Sequence, residues 1–155
     1  MKSIKKIQLY LVITCFLINI SFVAPSYSLS SQEDFFKNAL NLSSSGEFNL
    51  ALEQWNSYLE LFPEDAAALS NRGNIKLVLG DPEGAIDDQN QAIVLDPDEV
   101  DPYINRGIAK ESLGLWLEAK QDYLYVIAKD NDNFSALYNF ANVEGSLSDW
   151  QSARN

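Results

Sequence analysis

The chain has 155 residues, with 22 acids against 11 bases and no histidine, for a net charge of −11. Its one cysteine, Cys15, lies in an apolar N-terminal run. Beyond that run, Ser–His–Asp and Cys–His catalysis, Cys/His zinc sites and a disulfide framework are all excluded. So acidic a surface repels phosphate backbones, which rules against nucleic acid as a partner.

Three lysines, Lys2, Lys5 and Lys6, open the chain. An apolar stretch from Ile7 to Val23 follows, interrupted by Gln8, Thr14, Asn19 and Ser21. Pro25 breaks it, and Ser26-Tyr27-Ser28 places small residues where a signal peptidase reads. This order is that of a secretory signal peptide over residues 1–28, cleaved after Ser28. The alternative is an uncleaved anchor, because the 17 residues of the run are near the minimum for crossing a bilayer. Acylation at Cys15 fits poorly, since Val12-Ile13-Thr14 puts no small residue before it. The expected address is the periplasm or the thylakoid lumen, or a membrane held through residues 7–23. Residues beyond 28 keep all 22 acids and eight bases, so the mature charge is about −14, and basic partners are the electrostatically favoured ones.

Beyond the leader, the chain repeats itself every 34 residues. Asn71-Arg72-Gly73 returns as Asn105-Arg106-Gly107. Lys76, Leu79, Gly80, Ala85, Asp88, Ile93, Asp96 and Asp98 return as Lys110, Leu113, Gly114, Ala119, Asp122, Ile127, Asp130 and Asp132. A fixed period of this length marks a stack of helical hairpins. The register gives copies at 32–65, 66–99 and 100–133, and a partial copy at 134–155. Ala141 stands there for Gly73 and Gly107, and Ala153 for Ala85 and Ala119.

In the second copy, helix A is expected from about Ala67 to Leu79, with Gly80 as a left-handed cap. Asp81 as N-cap and Pro82 at the first helical position start helix B. Helix B runs to about Leu95, where Asp96-Pro97 stops it. Gly73, Gly107, Ala39 and Ala141 allow a close crossing by helix B, which offers Ala51, Ala85 and Ala119 in return. Trp55, Leu69, Tyr103, Tyr123 and Leu137 are the expected core between hairpins. The fourth copy would stop early in its second helix, leaving its last apolar face in need of a polar cap or a neighbour.

Recurring Arg72, Arg106, Lys76 and Lys110 point to a structural task, pairing with acids of the neighbouring helix. The acids Asp96, Asp98, Glu99 and Asp101 share one loop, and Asp130 and Asp132 recur in the next. Asp130-Asn131-Asp132-Asn133 alternates as a calcium loop does, but the glycine and the distal glutamate are missing, so no metal is expected.

The bulky-small pattern of helix A, the Gly after it, the Ala in helix B and the closing Asp-Pro together resemble the tetratricopeptide repeat, over residues 32–153. The Asn-Arg-Gly form of helix A, with Asp149-Trp150, is similar to repeat proteins of cyanobacteria and chloroplasts. The resemblance implies an all-α, right-handed solenoid of antiparallel helix-turn-helix repeats whose A helices line a concave groove for peptides or partner helices. Carried over, the groove residues are Ser70, Asn71, Asn74, Asp101, Ile104, Asn105, Ile108, Tyr138, Asn139 and Asn142. One subtype of that family grips a C-terminal carboxylate with lysines, an arginine and asparagines. Here Ser70 or Phe36 stands at the first lysine, Asp101 or Ser135 at the second, and Asn105 or Asn139 at the arginine. Without cations that grip fails. Asparagine can instead bond both the N–H and C=O of an extended chain, or it can brace neighbouring repeats.

The implied function is a non-enzymatic protein-interaction scaffold without a cofactor, exported across a membrane and assisting assembly of membrane complexes. Its partner is a protein or peptide in the groove, and the membrane is touched only through an uncleaved N-terminus. The alternative is an accessory domain of a longer enzyme or transporter component.

Overall fold

The computed structural model describes residues 29–154, so the leader, the cleavage site after Ser28 and Cys15 lie outside the described residues. The described residues form helices α1 (Leu29–Ser45), α2 (Phe48–Leu61), α3 (Ala66–Val78), α4 (Pro82–Leu95), α5 (Asp101–Ser112), α6 (Trp116–Lys129) and α7 (Phe134–Arg154). Residues Gln32–Asn155 make one compact unit. Within it α1 packs on α2 through Phe36, Ala39, Trp55 and Tyr58, each later helix packs on the next, and α3 meets α5 as α5 meets α7, which is the expected all-α stack of hairpins.

Local chemistry sets the boundaries. Gly80 has φ +87° and Gly114 φ +72°, a left-handed conformation that glycine reaches without a Cβ clash. After α3 the Gly80 N–H donates to the Leu77 carbonyl at 3.1 Å and the Asp81 N–H to the Lys76 carbonyl at 2.9 Å, satisfying two orphaned helix-end carbonyls. The same pair of bonds closes α5, from Gly114 to Glu111 and from Leu115 to Lys110, both at 2.9 Å. At the N-termini, Asp65, Asp81 and Asn133 accept from the backbone N–H of Ala68, Gly84 and Ala136 at 3.0, 2.9 and 3.0 Å.

The small residues mark the crossings. A Cβ on Gly73 would come within 2.8 Å of Gln89 Nε2 and 3.2 Å of the Ala85 carbonyl. One on Gly107 would lie 2.5 Å from the Tyr123 ring. Ala39, Ala51, Ala85 and Ala119 are buried. Trp55, Tyr58 and Phe36 form an edge-to-face set with centroids 5.0–6.0 Å apart, and Tyr103 stacks on Tyr125 at 4.0 Å.

Two expectations fail at the C-terminal end. α7 is one continuous helix through residue 154, with no turn after Leu147. Ser148 stands where the first three copies have Gly46, Gly80 and Gly114, so the chain lacks the residue that ends their A helices. In consequence Leu137 is not core, being 41% exposed, and Ala141 is exposed rather than crossed. The inner face of α7, through Ala136 and Val143 with Phe140 and Leu147 beside them, closes the last cluster.

Candidate functional site

A polar lattice fixes the A helices relative to the B helices. Arg72 on α3 binds both carboxylate oxygens of Asp88 on α4, from Nε at 2.8 Å and Nη2 at 2.7 Å. Its Nη1 donates to Asn56 on α2 at 3.1 Å. Lys76 pairs with the same Asp88 at 2.9 Å. One repeat later Arg106 binds Asp122 from Nε at 3.0 Å and Nη2 at 2.5 Å, and donates to Asn90 at 2.7 Å, while Lys110 reaches Asp122 at 2.7 Å. Each arginine therefore ties its own hairpin and holds the previous one. These pairs carry out the structural task expected of the recurring cations. Asn56 and Asn90, also 34 residues apart, are members that sequence reasoning missed.

Held this way, α3 and α5 flank a cleft of about 250 Å³. Ala66, Ala67, Ser70, Asn71 and Asn74 form one wall, Asp101, Pro102 and Asn105 the other, and Asp96 and Glu99 of the intervening loop close one end. The cleft brings together Ser70, Asn71, Asn74, Asp101 and Asn105 of the expected groove. Asn105 Nδ2 donates to Ser70 Oγ at 3.3 Å across the repeat boundary, so one asparagine does brace neighbouring repeats. Asn71 Nδ2 donates to the Ala67 carbonyl of its own helix at 2.8 Å. Asn74 Oδ1 accepts from Gln89 Nε2 at 3.2 Å, and that same nitrogen donates to the Ser70 carbonyl at 3.0 Å. Asn71 Oδ1, Asn105 Oδ1 and the Asn74 amide nitrogen have no partner among the described residues. The cleft thus presents two free acceptors and a free donor, the complement of a peptide backbone.

Five other expected groove residues lie outside this cleft. Ile104 is 7% exposed and belongs to the core cluster with Tyr103 and Tyr123, which corrects its assignment to the groove surface. An apolar side chain at that position is drawn into the hairpin interior, whereas Ser70 at the equivalent position lines the cleft. Ile108 is exposed on α5, and on α7 Tyr138 and Asn142 are exposed and Asn139 half-buried.

Electrostatically the cleft is acidic. No lysine or arginine lines it, and Asp96, Glu99 and Asp101 form none of the ion pairs among the described residues. Asp98 instead turns to Lys129, whose ammonium holds that carboxyl below its usual range. Among the described residues no group of three or more potential ligands is arranged for a metal ion. Gln89 beneath the cleft also escaped sequence reasoning, since its counterpart one repeat later is Tyr123 and the period gives no signal. It is 1% exposed, and its Oε1 has no partner.

Comparison with known proteins agrees with the hairpin geometry. Residues 36–100 match the family described as Tetratricopeptide repeat. This segment resembles the tetratricopeptide repeat in sequence. Tetratricopeptide repeat protein 36 of Danio rerio is 33% identical over 61 residues, 39% of this chain and 33% of that protein. The match therefore spans about a third of that relative's length. Among solved structures, the first tetratricopeptide domain of Spaghetti (RPAP3), bound to the HSP90 peptide SRMEEVD, is 21% identical with a TM-score of 0.73, covering 78% of this chain and 96% of that one. The second tetratricopeptide domain of human RPAP3, in complex with the HSP70 peptide SGPTIEEVD, is 25% identical with a TM-score of 0.67, covering 71% and 92%. These likenesses establish the tetratricopeptide repeat fold of the stack.

Proposed function

We propose that the α3–α5 cleft binds an extended, neutral or basic polypeptide segment, and that the chain is a non-catalytic interaction module. The observation that carries this reading is the set of unpartnered amide groups on Asn71, Asn74 and Asn105 facing a common cleft. The peptides held by the two RPAP3 domains support a peptide ligand. Their acidic EEVD ends do not suit this cleft, because a desolvated carboxylate needs a cation, and Asp96, Glu99 and Asp101 would repel it. The test is fluorescence anisotropy with basic, neutral and acidic peptides of equal length. Asn71→Ala combined with Asn105→Ala should weaken the preferred peptide by about tenfold, the loss of one or two hydrogen bonds. Tightest binding by the acidic peptide, or binding indifferent to the double substitution, would refute the reading.

For the N-terminal segment we propose export, supported by the lysines, the apolar run and the Ser26-Tyr27-Ser28 site. Mass spectrometry of the protein recovered from cells should then find Leu29 as the first residue. An intact Met1–Ser28 on all of it would contradict cleavage.

A further inference from the structure

We propose that the outer face of α7, centred on Leu137 and Ala141, is a second docking surface, and that it takes a basic amphipathic helix of a partner protein. The helix is apolar on both sides. Its inner side closes the core through Ala136 and Val143. Its outer side shows Phe134 at 79%, Leu137 at 41% and Tyr138 at 58% exposure, followed by exposed Ala141 and Gly145. Residues 134, 137, 138, 141 and 145 fall on one face at helical spacing.

The preceding repeats show what such a face is for. Leu69 and Gly73 occupy the same register positions on α3, and Tyr103 and Gly107 on α5. There the partner is helix B: Gly73 approaches Ala85 and Gln89 of α4, Gly107 approaches the Tyr123 ring of α6, and Tyr103 stacks on Tyr125 of α6. The outer face of α7 therefore continues an interface already used twice, and no helix of the described residues covers it. Gly145 adds a second sign. A glycine within a helix costs up to about 1 kcal/mol relative to alanine, yet a Cβ there would meet nothing within 4 Å. Close approach by another helix accounts for it.

Charge selects the occupant. Exposed Asp130 and Asp132 lie in the turn just before Phe134, exposed Asp149 lies one turn beyond Gly145, and none forms an ion pair among the described residues. The nearby Lys120 is spent on Glu144 at 2.5 Å. Two copies of a chain with net charge −11 would bring like charges together, whereas a helix with lysines at both ends would meet these carboxylates.

The test uses the full chain and, as probe, a peptide of the α6 sequence Trp116–Lys129 with two lysines added at each end, since α6 already has the required shape. Peptide helicity and fluorescence anisotropy report binding. We expect saturable binding with a gain of helix, weakened about tenfold by Leu137→Asp, the loss of one apolar anchor, and likewise by Ala141→Phe, which blocks close approach. The same peptide with glutamates in place of the added lysines should bind weakly. Three results would overturn the proposal. One is no binding of the lysine peptide. Another is a dimer of the full chain, seen by sedimentation, that Leu137→Asp dissolves, which would make a second copy the occupant. The third is a large fall in melting temperature for Leu137→Asp, which would place the face inside the fold. Because Asn71 and Asn105 lie on another surface, failure here leaves the cleft reading standing.

Discussion

Arg72 and Asp88 meet in a two-pronged contact across the α3–α4 hairpin, at 2.8 and 2.7 Å, with the carboxylate buried. Asp88 also carries Lys76, so one acid serves two cations. Asp88→Asn should therefore cost about 3 kcal/mol, the low end for breaking a buried pair, because Arg72 and Lys76 retain some access to water. Asp122→Asn should cost a similar amount through Arg106 and Lys110. Urea denaturation of each variant would measure this.

Stability should fall at high pH. The Tyr58 phenol is pushed up to about 12, first by burial and then by its hydrogen bond to Asp65. An unfolded tyrosine ionises near 10, so the folded state favours the neutral phenol. This contribution is complete below about pH 10 and is lost as the pH rises through about 12. Tyr123, raised by burial and by its bond to Glu111, acts in the same direction. Melting curves from pH 9 to 12 should show a decline, which Tyr58→Phe makes shallower while lowering stability at neutral pH.

Two glycine-to-alanine changes should have opposite signs. Gly107→Ala forces a Cβ to within 2.5 Å of the Tyr123 ring and should cost about 1–3 kcal/mol, as overpacking does. Gly145→Ala meets nothing in the isolated chain and should stabilise it by about 0.5–1 kcal/mol through helix propensity. Thermal unfolding of the pair provides an internal control.

The N-cap before α4's first residue gives a smaller, local effect. Asp81 Oδ1 accepts from the Gly84 N–H at 2.9 Å, so Asp81→Ala should cost about 1 kcal/mol. Amide exchange should quicken at Gly84 and Ala85 before it changes elsewhere.

Much of the fold could be read from the residues that recur. Gly80, Gly114, Asp81 and Pro82 announced the turns because their conformational demands are local. Gly73 and Gly107 announced the crossings because only close packing justifies them. The groove was harder. Ser70 and Ile104 share a register position, but side-chain polarity sends one to the cleft and the other to the core, so the period alone could not separate them. The wall formed by Asp96 and Glu99 is visible as an acidic cluster, but nothing local in the sequence says that their loop closes a cleft between α3 and α5. The long α7 had a sequence sign in Ser148 at the glycine position, yet the recurrence of Ala141 and Ala153 pointed the other way.

The arginine ties also set a direction within the stack. Arg72 reaches back to Asn56 and Arg106 to Asn90, so each hairpin is latched to the one before it. The next member of that series would join α6 to α7, but Leu124 and Phe140 occupy its two places. The half-exposed pair Lys120–Glu144 stands there in place of a two-pronged arginine tie, so the α6–α7 junction is stitched more loosely than those before it. Heat or force should peel the array from α7 inward, and a partner helix seated on α7 would act as the missing stitch.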